Sequence, residues 1–200
     1  MEREGILSKT AYDFSKKIEI IETIIIGLLA FLVPTFLAKG ITLAFGKDST
    51  IANNSQLIVG SIVNTCLILT AINLKGLPKT LFVVTMPSLS TIASGYIFGP
   101  LSMPMIYMVP AIWLGNFALI FCYKYLFLSK KKNYFIAGAV GVIIKVAIIF
   151  GYFSLINKFG LIPPKAFPTL QKAMSIIQMI TASIGVILSF CIYKLEKDSK

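Results

Sequence analysis

The sequence predicts an all-α integral membrane protein: a compact bundle of six transmembrane helices with both termini in the cytoplasm. Three observations lead there. The 200-residue chain is 56% hydrophobic and only 14% charged, with a mean hydropathy of +0.85, whereas a soluble domain carries about 25% charged residues. Apolar runs long enough to cross a ~30 Å hydrocarbon core at ~1.5 Å per helical residue recur along the whole chain. Lysine and arginine gather in alternate linkers, which gives insertion a direction. A transmembrane barrel would need short alternating segments instead, and the sequence has none.

The spans fall at about 20–38, 56–73, 80–98, 104–126, 134–156 and 170–193. Polar residues Met1 to Glu19 precede the first run, which is too long for a signal-peptide core. It is therefore expected to be a spanning helix rather than a cleaved leader. The linkers "KGITLAFGKDSTIANNS", "NLKGLPK", "GPLSMP", "LSKKKN" and "NKFGLIPPKAFP" are short. They leave no room for a soluble domain, so residues 1–200 form a single transmembrane domain.

Thirteen basic residues lie on one side: Arg3, Lys9, Lys16 and Lys17, then Lys75 and Lys79, then Lys124 and Lys130 to Lys132, then Lys194, Lys197 and Lys200. Five lie on the other, at Lys39, Lys47, Lys158, Lys165 and Lys172. The richer side is cytoplasmic by the positive-inside rule, which makes the chain a multi-pass protein of the plasma membrane. The net charge of +11 then reads as contact with anionic lipid of the bilayer's inner leaflet. Nucleic acid is not an expected partner, because a basic groove with stacking aromatics is missing.

Histidine is absent, and no Asp or Glu occurs from residue 49 to residue 195. That removes HExxH metalloproteases, paired-Asp enzymes and Ser–His chemistry. A Ser–Lys pair using Lys145 stays formally open, but the expectation is a non-enzyme with no catalytic residue. Cys66, Cys122 and Cys191 are far apart within apolar runs and suggest no metal or redox pair. No cofactor is implied. "GLPKT" at 76–80 lacks the spacing of a phosphate loop, so the chain does not power itself.

The polar residues left inside the spans carry the functional signal. Lys145 sits near the middle of the fifth span, where a lysine costs ~2.5–3.5 kcal/mol on insertion scales. It is either a snorkelling or carbonyl-bound structural group, or the countercharge of an anionic or carbonyl-rich ligand. Asn64 and Asn116 are mid-span amides that either glue helices together or meet the ligand. Trp113, the only tryptophan, is core packing or a stacking wall. Tyr107 shares a broad helix face with Trp113 and Asn116. Ser88, Thr91 and Ser94 form a stripe that suits either close packing or a lined cavity. Gln178, in the outer part of the sixth span, needs a partner for its amide. Pro87, Pro104 and Pro110 free backbone carbonyls that must face protein or water. The outer halves of the third and fourth spans therefore read as walls of a cavity. The candidate ligand contacts are Trp113, Asn116, Lys145, Gln178, Asn64, Tyr107 and Ser94.

Three stretches carry a resemblance: "GSIVNTCLILTAINLKG", "MPSLSTIASGYIFGP" and "MPMIYMVPAIWLGN". They resemble the G-x-x-x-N, P-x-x-x-x-x-x-S-G and P-x-x-x-x-G-N signatures of substrate-binding S components of energy-coupling factor (ECF) vitamin and micronutrient transporters. The likeness covers roughly half the chain. It implies a small-molecule substrate captured near the outer surface, under linkers 39–55, 99–103 and 157–169. It also implies two kinds of partner, a transmembrane coupling subunit and ATPase subunits. Family members dock through a small-residue face of the first helix, often A-x-x-x-A. Here that face is Gly27, Ala30, Pro34 and Ala38, with Pro34 where an alanine would complete the pattern. The alternative is a non-transport accessory or assembly protein whose polar residues only hold helices together.

The topology is checked with cysteines introduced singly at Lys131 and Asp48. An impermeant thiol reagent should label only position 48 in intact cells, and labelling at 131 alone would invert the model.

Overall fold

The computed structural model describes residues 2–46, 49–94 and 102–198, and every regular element among them is helical. The helices are α1 (Glu2–Phe45), α2 (Thr50–Asn53), α3 (Ser55–Asn73), α4 (Leu77–Ser94), α5 (Ser102–Met105), α6 (Val109–Cys122), α7 (Tyr134–Lys158), α8 (Phe167–Met174) and α9 (Ile176–Asp198). A short 3-10 turn over Ile106–Met108 leads into α6, and a π-helical stretch over Tyr123–Ser129 prolongs it. The expected outer turn at 99–103 lies partly outside the described residues, as do residues 95–98 of the third span and Asp48.

Five stretches are long and apolar enough to cross a membrane: Lys16–Phe45, Ser55–Asn73, Ile106–Ser129, Tyr134–Lys158 and Phe167–Asp198. The chain is thus a multi-pass helical protein. The expected third span, α4, falls short of that measure. Lys79, Pro87 and six hydroxyl residues dilute its apolar content. It is packed between α1, α3 and α6 all the same. The sixth expected span is divided. Ser175, at φ −118° and ψ −90°, separates the short α8 from α9.

α3 is the central helix, with most of its side chains buried, and it packs against α1, α4, α6 and α9. Its hydroxyls bond to carbonyls of the preceding turn: Ser61 Oγ to Leu57 O, Thr65 Oγ1 to Ser61 O, Thr70 Oγ1 to Cys66 O. This satisfies each polar group within its own helix. Glycines bring the neighbours close. A Cβ built on Gly185 of α9 would lie 2.6 Å from the Asn64 Cβ, and one on Gly60 would lie 2.9 Å from Thr181. A Cβ on Gly115 of α6 would lie 3.2 Å from the Lys145 carbonyl oxygen of α7. Such approaches need small residues, as membrane helix seams do.

Two apolar clusters result. One joins α1, α3, α4, α6, α7 and α9 through residues such as Ala30, Leu67, Ile68, Val83, Leu119 and Ala182. The other, built on Met108, Ile149, Phe153, Leu170 and Met174, closes the end of the bundle under the 159–166 connection. At the opposite end Glu19 pairs with Lys79 at 2.8 Å and accepts the Lys75 amide, while Lys124 Nζ donates to Leu74 O.

The expected docking face points inward. Gly27, Ala30, Pro34 and Ala38 are all buried, and a Cβ on Gly27 would collide with the Phe82 ring of α4. The face of α1 left outside carries large apolar residues, among them Ile21, Ile25, Leu28 and Phe36. Ala30 is fully buried, so Ala30→Leu should lower the thermal midpoint in detergent, with overpacking costing ~1–3 kcal/mol. Gly40→Leu is the control, since a Cβ there meets nothing within 4 Å. Equal midpoints for the two variants would show that the Ala30 face is not packed inside.

Candidate functional site

A cavity of about 90 Å³ lies among α1, α3, α4, α6, α7 and α9. On this scale one water needs ~10–15 Å³, so the space exceeds that of a single water. Its lining draws on Pro34 of α1, on one face of α3 from Gln56 through Gly60 to Asn64, on Pro87, Ser88, Thr91 and Ile92 of α4, on Met105, on Val109, Ile112 and Asn116 of α6, and on Lys145 and Gln178. Apart from Asn64, Asn116 and Lys145, which sit near the middle of their spans, these residues lie in the half of the bundle away from Lys75, Lys79 and Lys130 to Lys132.

Periodicity explains how a lysine comes to be there. The buried face of α7 runs Ala137, Gly138, Gly141, Val142, Lys145, Ile149, Phe153 and Ile156. Steps of three and four keep it on one stripe, so Lys145 must face inward. It is 2% exposed, and its Nζ donates to Asn64 Oδ1 at 2.5 Å. Asn64 in turn donates through Nδ2 to Gly60 O at 2.8 Å and to Thr181 Oγ1 at 3.4 Å. One amide thereby ties α3, α7 and α9 together.

Asn116 is different. It is also 2% exposed and also lines the cavity, yet its amide makes no hydrogen bond with any described residue. The fully shielded side-chain atoms without a partner among the described residues are Ser94 Oγ and Tyr123 Oη, so the Asn116 amide keeps some exposure, and beside the cavity it offers its hydrogen bonds to a ligand or water. The amides of Gln178 and Gln56 line the same space. Gln178 owes its place to the break at Ser175, which puts it in the first turn of α9.

The other expected contacts are placed variously. Trp113 does not line the cavity. Its Nε1 donates to Ser88 Oγ at 2.6 Å, and Ser88 does line it, so the indole fastens α6 to α4 behind the wall. Tyr107 is 48% exposed and does not line the cavity. Ser94 does not line it either, and its shielded hydroxyl has no partner among the described residues. Pro34, expected on the docking face, lines the cavity instead. Sequence reasoning passed over Gln56 and Thr181. The spacing Gln56, Gly60, Asn64 repeats at i, i+4, i+8 and puts one helix face into the site, a signal that was present. Thr181 had none, because only the α3–α9 crossing brings it to Asn64. Among the described residues no group of side chains could hold a metal ion, and no serine oxygen bonds to Lys145.

Comparison with protein-family models, with curated proteins and with solved structures found no match.

The two asparagines should respond oppositely to Leu. Asn64→Leu strips Lys145 of its protein partner and should lower the unfolding midpoint by the equivalent of ~1–3 kcal/mol or more. Asn116→Leu breaks no bond within the protein and should leave the ligand-free midpoint unchanged or higher. A loss at Asn116 matching that at Asn64 would contradict this division.

Proposed function

We propose that the chain is the membrane-embedded substrate-binding subunit of an ECF-type importer in the plasma membrane. It would take a vitamin or other small micronutrient from outside and rely on a separate coupling subunit and ATPase subunits for power. The observation that carries this reading is the cavity, into which Asn116, Gln178 and Lys145 bring polar groups that the protein leaves wholly or partly unsatisfied. Binding sites are concave and mainly apolar, with a few convergent polar groups, and this one has that character. The charge pattern supports the same direction, because most lining residues lie away from the lysine-rich ends that the positive-inside rule assigns to the cytoplasm.

One observation favours the accessory-protein reading. The Lys145–Asn64–Thr181 chain joins three helices and would suit a protein whose polar groups serve only assembly. Asn116 weighs against it, because an amide with no hydrogen-bond partner among the described residues ties no helices together.

Native mass spectrometry of the detergent-purified full chain tests the choice. A releasable small-molecule adduct is expected for the wild type and should be depleted in Asn116→Leu. An adduct-free wild type that also shows no thermal shift with any small solute would favour the accessory reading.

A further inference from the structure

Resting on the cavity as a binding site, we infer that its ligand is a small organic monoanion whose carboxylate sits between Lys145 Nζ and the Asn116 amide. Charge balance is the first reason. An ammonium has three donors, and the one hydrogen bond of Lys145 to a described residue uses one of them, on a neutral amide oxygen. No Asp or Glu occurs from residue 49 to residue 195. The described carboxylates Glu19, Glu22, Glu196 and Asp198 lie at the lysine-rich ends of α1 and α9, and Glu19 is already bound to Lys79. A charge held in a low-dielectric interior needs an opposite charge beside it. Here the ligand supplies it.

The second reason is the partnerless Asn116, which offers N–H donors into the same space. Gly115 allows α6 to cross α7 beside the Lys145 carbonyl, so the two groups come from adjoining helices. A carboxylate has two oxygens and accepts from both donors. The walls select the rest of the ligand. Pro34, Val63, Ile92, Val109 and Ile112 are apolar, which suits a compact organic body better than a bare inorganic ion. A single lysine also favours one negative charge, since a dianionic phosphate would leave a charge buried without a counterion.

The test uses the full chain in nanodiscs and three matched pairs of probes: acetate and acetamide, benzoate and benzamide, nicotinate and nicotinamide. Binding is read from the thermal midpoint and from the fluorescence of Trp113, the only tryptophan. At least one carboxylate should bind, and its amide should bind at least tenfold more weakly. Lys145→Met should weaken the carboxylate by roughly 10- to 150-fold, the worth of a charged hydrogen bond. Asn116→Leu should weaken it as well, and that variant covers the case in which Lys145→Met does not fold. Amides binding as tightly as carboxylates, or a neutral adduct in the native spectrum, would overturn the anion while leaving the binding site in place. A carboxylate bound within twofold of wild type by both variants would overturn it too. If no probe binds and no adduct is found, the anion and the binding site fall together.

Discussion

The hydrogen bond from Lys145 to Asn64 is the interaction around which the bundle is arranged. A lysine on the inward stripe of a membrane helix must find a partner, because leaving a buried charge bare costs several kcal/mol. The chain offers no carboxylate in that region, so an amide oxygen receives the charge. To keep that oxygen in place, Asn64 is fixed at its other end by Gly60 O and Thr181. The first of these bonds lies within α3, and the second crosses to α9 because Gly60 and Gly185 let the two helices come almost into backbone contact. The central position of α3 and the glycines on its seam are two halves of one solution.

The remaining polar groups divide by how they are satisfied. Serines and threonines on α3 and α4 turn back on their own helices, as Thr91 Oγ1 does in donating to Pro87 O at 2.8 Å. Others cross between helices in pairs, as with Thr35 and Ser90 at 2.7 Å, Trp113 and Ser88, and Tyr134 and Ser189. Hydroxyls can do this because one oxygen both donates and accepts. A carboxamide is larger and asks for more partners, and at Asn116 and Gln178 the described residues provide none for the side chain. The cavity is therefore distinguished less by its size than by which polar groups are left over in it.

Much of this was legible in the sequence, and the reasons can be named. The apolar runs located five of the six expected spans, most of them to within a few residues, because hydrocarbon thickness sets their length, whereas α4 was diluted by polar residues and falls short. The steps of four through Gly141, Lys145 and Ile149 put the lysine on the inner face of α7, a signal beyond the mid-span position from which Lys145 is read as a candidate. Asn64, Asn116, Lys145 and Gln178 were all candidates, and the cavity gathers them. Tyr107 was placed by sharing a helix face with Trp113 and Asn116, yet that face is broad enough to reach from core to exterior. The break at Ser175 was missed because no proline or glycine announces it. The role of α1 could not be read either. A stripe of small residues looks the same whether the helix that fills it belongs to the same chain or to another.

That ambiguity has a mechanical side. Gly27, Ala30, Pro34 and Ala38 seat α4, with the Phe82 ring against Gly27 and Thr35 bonded to Ser90. α4 also carries Pro87, Ser88 and Thr91 to the cavity wall, and α1 contributes Pro34. A partner helix that docked on the small face of α1 would have to displace α4 from it. Displacing α4 removes one wall of the cavity. In this packing a helix docked on that face and an intact cavity wall exclude each other, so α4 is the single element shared by the two surfaces.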